Sequence, residues 1–123
     1  MEKAISNLKN RQHNYATIQT SEINQNGKCH KQTKVFIGVR TVRTLEQMGI
    51  TISWFDEWFD EEQIKLIPNP VDGQYALLKG SRLTLNHAFV KEYKVKDGKY
   101  KMTLFKDGSI VIDLTQKVGA KNA

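Results

Sequence analysis

Cysteine, proline and long apolar runs are all scarce in this chain. One cysteine, Cys29, and two prolines, Pro68 and Pro70, stand among 123 residues. A lone cysteine excludes an internal disulfide. With no apolar h-region near the N-terminus either, a cytoplasmic protein is expected. No run of about eighteen apolar residues is present, which excludes a helical membrane span. No basic amphipathic stretch is long enough to lie on a membrane surface. Apolar residues make up 39% of the chain, slightly below the usual share, so a modest core is expected.

Catalytic patterns are missing as well. Gly38, Gly49 and Gly73 are isolated and form no phosphate-cradling loop. Cys29 has no partnered base that spacing can locate. Cys29, His30 and His13 offer three ligands, where zinc takes four well-placed ones or three plus water. No metal or other cofactor is expected, and the chain is not expected to be an enzyme. A small nuclease, active or degenerate, is the third reading, built on Asn86-His87 and nearby acids. It lacks a second histidine at a recognisable spacing.

What is present is positive charge. Nineteen Lys and Arg against thirteen Asp and Glu give a net charge of +6 and a pI near 9.5, which favours polyanionic partners. The length fits one domain. Residues 1–14 are expected to be a flexible arm or a short first helix, residues 15–115 a single domain, and residues 116–123 a polar tail that frays.

Most of the charge lies in and around Ser81 to Leu114. Arg82-Leu83-Thr84-Leu85 alternates polar and apolar residues, the period of a half-buried strand. Asn86 stands where a helix N-cap would. His87 to Tyr93 then places Phe89, Val90 and Tyr93 on one face of a short helix. Asp97-Gly98 and Asp107-Gly108 are turn dipeptides, and a hairpin spans the second, between Tyr100–Phe105 and Ser109–Leu114. Upstream, Tyr15–Thr20 and Lys34–Val39 have strand character, with a turn at Asn24-Gln25-Asn26-Gly27. Tyr75–Leu78 is a further strand. Thr41–Met48 has helical spacing, stopped by Gly49. Residues 53–64 are expected to be a helix: Ser53 and Asp56 resemble a capping pair, and Trp54, Phe55, Trp58 and Phe59 form a wide stripe. Pro68-Asn69-Pro70 ends it. The expected fold is therefore α+β, a small single domain of antiparallel hairpins with two or three short helices, arranged as a swapped-hairpin barrel or in winged-helix fashion.

Two resemblances follow from these residues. The order Arg82-Leu83-Thr84-Leu85, a short helix with Phe89, Val95-Lys96-Asp97-Gly98, and Lys106-Asp107-Gly108-Ser109-Ile110-Val111-Ile112 resembles the AbrB/SpoVT swapped-hairpin transcription factors. It departs from that pattern at Asn86, where a proline is usual, and at Tyr93-Lys94, where Leu-Gly is usual. A looser second copy over Phe36 to Ile67 would make one chain a pseudo-dimer with a closed barrel. Separately, Leu45-Glu46-Gln47-Met48-Gly49-Ile50-Thr51, Phe55, Trp58 and Ile64 to Pro68 resemble an excisionase or MerR-like helix-turn-helix. Its second helix would carry five carboxylates between Ser53 and Glu62, which phosphates repel, so it would face protein.

The leading expectation is a DNA-binding transcriptional regulator, DNA being favoured over RNA, using a basic surface at 79–106. Arg82, Asn86, His87, Lys91, Lys94, Lys96, Lys99 and Lys101 would form it, with Lys79 and Lys106 nearby and Arg40 and Arg43 as an extension. Lysines supply phosphate contacts, and Arg82, Asn86 or His87 would supply base readout. The oligomeric state stays open: two half-sites multiply the affinity of a homodimer, while a duplicated chain would not need one. The alternative is a small protein of the kind phages and mobile elements encode, which binds another protein. Trp54, Asp56, Glu57, Trp58 and Asp60 of the acidic-aromatic segment 53–64 would carry that contact.

Overall fold

A computed structural model describes residues 15–50, 53–78 and 80–118. The expectations for residues 1–14, for Lys79 and for the end of the tail lie outside these. Ten elements follow one another: β1 (Tyr15–Gln25), β2 (Lys28–Phe36), α1 (Val39–Gln47), β3 (Trp54–Phe59), β4 (Gln63–Pro68), β5 (Tyr75–Ala76), β6 (Arg82–Thr84), α2 (His87–Glu92), β7 (Gly98–Leu104) and β8 (Ile110–Val118).

Local chemistry accounts for several of these. Asn26 and Gly27 both take positive φ (54° and 76°) between the paired residues Gln25 and Lys28. That is the left-handed pair a two-residue hairpin turn requires. Gly49 (φ 75°) ends α1, and Asn86 caps α2 by accepting the Phe89 N–H at 3.1 Å. The hairpin across Asp107-Gly108 joins β7 to β8, with Asp107 Oδ1 accepting the Ser109 N–H at 2.8 Å.

The strands form one sheet in the order β5-β3-β4-β8-β7-β1-β2-β6. Its two ends meet where Leu78, beyond β5, bridges to Arg82 of β6, with Leu78 N–H donating to the Arg82 carbonyl at 2.8 Å. The result is a nearly closed eight-stranded barrel. Inward residues alternate along each strand and fill it: Val35, Phe55, Ile64, Leu66, Ile110 and Ile112 are all fully buried. Such filling is how a small barrel becomes a packed core.

This corrects the expected α+β class. The chain is mostly antiparallel sheet, 54% strand and 15% helix, with only two short helices among the described residues. The helix expected over 53–64 is instead strand β3 and the start of β4, so the second helix of the helix-turn-helix pattern is not formed. The aromatic spacing of Trp54, Phe55, Trp58 and Phe59 fits either period, and aromatics favour strands. Pairing decides: β3 matches β4 in register from Phe55↔Pro68 to Phe59↔Ile64. Asp60 Oδ1, expected inside a helix, instead accepts the N–H groups of Glu62 and Gln63 (2.7 and 2.9 Å) and closes the hairpin turn. Residues 116–118, expected in the polar tail, are strand. β8 runs on to Val118, pairing Lys117 with Tyr100.

The barrel has an internal two-fold pattern. β1-β2-α1-β3-β4 and β5-β6-α2-β7-β8 are two ββαββ units, and exchanging them preserves every neighbour in the sheet. Equivalent hydrogen bonds join the units, Ile37 N–H to the Ser81 carbonyl and Leu85 N–H to the Thr33 carbonyl, both 2.9 Å. After each helix a residue takes positive φ, Gly49 in the first unit and Lys94 (φ 53°) in the second. The units are not identical. α1 has nine residues and α2 six, and β1 and β2 extend past the barrel as a ribbon that β5 and β6 lack.

One close approach locks the loop after β4 against β3. A Cβ on Gly73 would come within 2.5 Å of the Asn69 carbonyl oxygen, 2.8 Å of the Phe55 nitrogen and 2.8 Å of the Trp54 Cβ. Two of these neighbours are backbone and cannot swing aside. Gly73→Ala is therefore expected to destabilise the fold by about 1–3 kcal/mol, measurable by urea denaturation. An unchanged midpoint would show that the loop can move off the strand.

Candidate nucleic-acid interface

Alternation along β7 turns Tyr100, Met102 and Leu104 inward and Lys99 and Lys101 out to solvent. Register then decides what lies beside them. Lys99 is opposite Thr17, Thr17 opposite Phe36, and Phe36 opposite Arg82, a single row across β7, β1, β2 and β6. The flanking rows hold Lys101 opposite Tyr15, and Gln19, Lys34 and Thr84. Four cations (Lys34, Arg82, Lys99 and Lys101) thus share one outer face with Tyr15 and Phe36. Strand spacing makes that face about 14 Å wide. The Lys99 ammonium lies 5.4 Å from the centre of the Tyr15 ring, a cation–π placement that holds the lysine over the sheet. Arg82 is half-buried, and its Nε is buried with no hydrogen-bond partner among the described residues.

The other expected contact residues are spread further. Asn86 is occupied as scaffold: its Oδ1 caps α2 and its Nδ2 donates to the Tyr75 hydroxyl at 2.7 Å. His87 and Lys91 are exposed on α2. Lys94 and Lys96 lie on the connection to β7, around a cavity of about 260 Å³ that Glu61, Tyr93, Tyr100 and Lys117 also line. There the Tyr100 hydroxyl donates to the Lys96 carbonyl at 2.6 Å. Burial, followed by the Asp97 charge, pushes that phenol up from its ordinary pKa. Arg40 and Arg43 are exposed on α1. Because β2 and β6 are antiparallel neighbours, α1 and α2 leave the sheet at opposite ends. Lys106 is exposed in the β7–β8 turn. The sequence reading missed Lys34, Tyr15 and Phe36. The apolar run Val35-Phe36-Ile37 reads as a strand buried on both faces, which hides the outward Phe36 and Lys34, and nothing local marks Tyr15.

The acidic-aromatic residues occupy β3. Trp54 and Trp58 face outward, 44% and 62% exposed. Asp56, between them, accepts a hydrogen bond from Asn69 Nδ2 at 2.8 Å. Glu57 faces the interior with Phe55 and Phe59. In the second unit the equivalent place is held by Met102, 2% exposed. Glu57 Oε1 accepts the Asn86 N–H at 2.9 Å, while Oε2 is buried with no partner among the described residues. Burial pushes this carboxyl up to about 8, and the Asn86 N–H only partly opposes that. At neutral pH Glu57 is therefore mostly protonated.

On the ribbon, the exposed Cys29 thiol donates to Glu22 Oε2 at 2.9 Å. That bond holds the thiol above its ordinary pKa, the opposite of an activated nucleophile. Among the described residues no group of three or more His, Cys, Asp and Glu is placed to hold a metal, and no helix is long and apolar enough to cross a membrane.

Comparison with known proteins adds no relative: no family model, no curated protein and no solved structure matches the chain. The class of protein is therefore defined by its own geometry, a barrel of two ββαββ units with one cationic outer face.

Proposed function

We propose that this is a non-enzymatic DNA-binding protein, a transcriptional regulator of the cytoplasm, which lays the outer face of β7-β1-β2-β6 against the phosphate backbone. The observation that carries this reading is the register that gathers Lys34, Arg82, Lys99 and Lys101 on one face. Phosphate neutralisation there releases counterions, the main source of affinity for such a face. Tyr15 and Phe36 supply flat surface between the charges. The resemblance of 81–114 to the AbrB/SpoVT factors supports the same function. One chain carries one such face, and a homodimer would set two of them on two half-sites.

The test is binding of a labelled mixed-sequence DNA duplex over a salt series, with light scattering on the same sample. Four neutralised phosphates give a log–log slope of about −3.6, so affinity is expected to fall a few hundredfold between about 50 and 300 mM salt. A flat profile, or no binding at low salt, overturns the proposal. RNA duplex binding as tight as DNA would overturn the preference for DNA.

A further inference from the structure

β3 is half-covered. On one side it pairs with β4 along its length, but on the other it meets β5 only at Trp54 and Phe55. The chain cannot continue β5 backwards along this edge, because Gly73 N–H turns to the Asn69 carbonyl at 2.9 Å. Gln74 N–H donates to the Phe55 carbonyl at 3.1 Å, so Phe55 directs its main chain to this side. By strand alternation Glu57 and Phe59 do the same. Among the described residues their amide and carbonyl groups on this edge have no strand to meet.

Along that edge runs a cavity of about 530 Å³ whose walls include Glu57, Trp58, Phe59, Tyr75, Asn86 and Phe89. Residues from both faces of β3 line it, as they must if it follows the strand's edge rather than a face. Its far wall is firm. Phe89 packs on Phe59 with ring centres 5.4 Å apart, and Tyr75 is tied to Asn86. Five carboxylates (Asp56, Glu57, Asp60, Glu61 and Glu62) stand on this hairpin in a chain of net charge +6. One of them, Glu57, has a buried oxygen with nothing to bond.

We infer that the open edge of β3 from Asp56 to Phe59 takes up an extended basic segment of a partner protein as an added strand, with a Lys or Arg side chain reaching Glu57. Main-chain pairing supplies affinity in such additions, and the side-chain pocket supplies selectivity. An open strand edge is otherwise a liability that proteins cover or charge. The carboxylates here repel acidic strands and other copies of the same edge. This surface is separate from the DNA face, which lies on β7-β1-β2-β6.

The arriving cation would draw the proton from Glu57, so binding releases a proton. Around Glu57 stand Asp56 on its own strand, Leu66 from β4, Tyr75 from β5, and Asn86 with Phe89 from α2. His87 follows Asn86 and lines the neighbouring cavity. Glu57→Gln separates the contribution of Glu57 from that of His87.

The experiment is titration of the full chain with a capped peptide of about seven alternating Lys and Val residues, followed by tryptophan fluorescence and amide chemical shifts. Shifts centred on 56–59 and 86–89 are expected, with affinity rising between about pH 7 and 9. Glu57→Gln is expected to weaken binding about tenfold and to remove the pH dependence. A peptide with the same charges but N-methylated on one edge is expected to lose binding on the unaltered protein. Equal binding of that peptide, of lysine amide alone, or of an acidic peptide of the same apolar pattern would overturn the inference, as would an unchanged Glu57→Gln. The variant carrying Lys99→Glu and Lys101→Glu should bind the peptide normally, which separates this site from the DNA face.

Discussion

Raising the pH from about 4.5 to about 8 is expected to remove roughly 5 kcal/mol of stability, and Glu57→Gln is expected to abolish that loss. The folded carboxyl titrates near 8 because burial penalises its charge, against 4.5 for the ordinary group. Below about 4.5 the carboxyl is neutral in both states and folding incurs no penalty. Between the two values the unfolded chain ionises while the folded one holds its proton, so stability falls by about 1.4 kcal/mol per pH unit. Above about 8 both states are charged and the loss is complete. The other shifted carboxyls act elsewhere. Asp107 and Asp113 are held low by hydrogen bonds from Ser109 and Thr115. Their contribution is present at neutral pH and is lost only as pH falls below the ordinary carboxylate range.

Glutamine keeps an oxygen for the Asn86 N–H but buries an amide that lacks a partner, a cost of about 1–3 kcal/mol at every pH. The two stability curves should therefore cross. The wild type is more stable in acid, and Glu57→Gln more stable above about pH 7. Urea denaturation at a series of pH values reads this directly. Parallel curves would show that Glu57 is already ionised in the folded protein.

The second large effect concerns the basic face. Lys99→Glu with Lys101→Glu should lower duplex affinity at low salt by about a hundredfold or more and reduce the salt slope by about 2. Both side chains are exposed and outward on β7, so stability should change by no more than about 0.5 kcal/mol. The useful comparison is Lys91→Glu with Lys94→Glu, which reverses the same charge on and just after α2. If the outer sheet face is the contact surface, that pair has the smaller effect. Equal loss from both pairs would mean that net charge, rather than the register across β7 and β1, governs binding.

The contrast between these two sites shows where sequence reasoning ran out. The cap at Asn86, the turn at Asn26-Gly27 and the hairpin at Asp107-Gly108 were all legible, because each rests on contacts within a few residues. Lys99 and Lys101 were legible as charges. Their company was legible only in part: Arg82 was expected beside them, but Tyr15, Lys34 and Phe36 join them only through strand pairings that span most of the chain. Segment 53–64 misled for a related reason. Four aromatics and five acids satisfy helical spacing as well as a strand's alternation, and the choice depended on whether β4 would pair with it. Glu57 was expected only as one of several exposed protein-contact residues, with nothing to set it apart. One acid among five, it is distinguished only by facing the barrel where the other unit places Met102.

By itself, then, the sequence determined the turns, the caps, the alternation within each strand and the excess of positive charge, all of which follow from local backbone preferences and composition. Only the tertiary structure decided that the hairpins interleave into one barrel of two ββαββ units. It also decided that residues 54–59 are strand, which cations share a face, and that β3 keeps an open edge beside a buried carboxyl. These features depend on which distant strands meet and in what register, and a shift of one residue would turn every side chain to the opposite face.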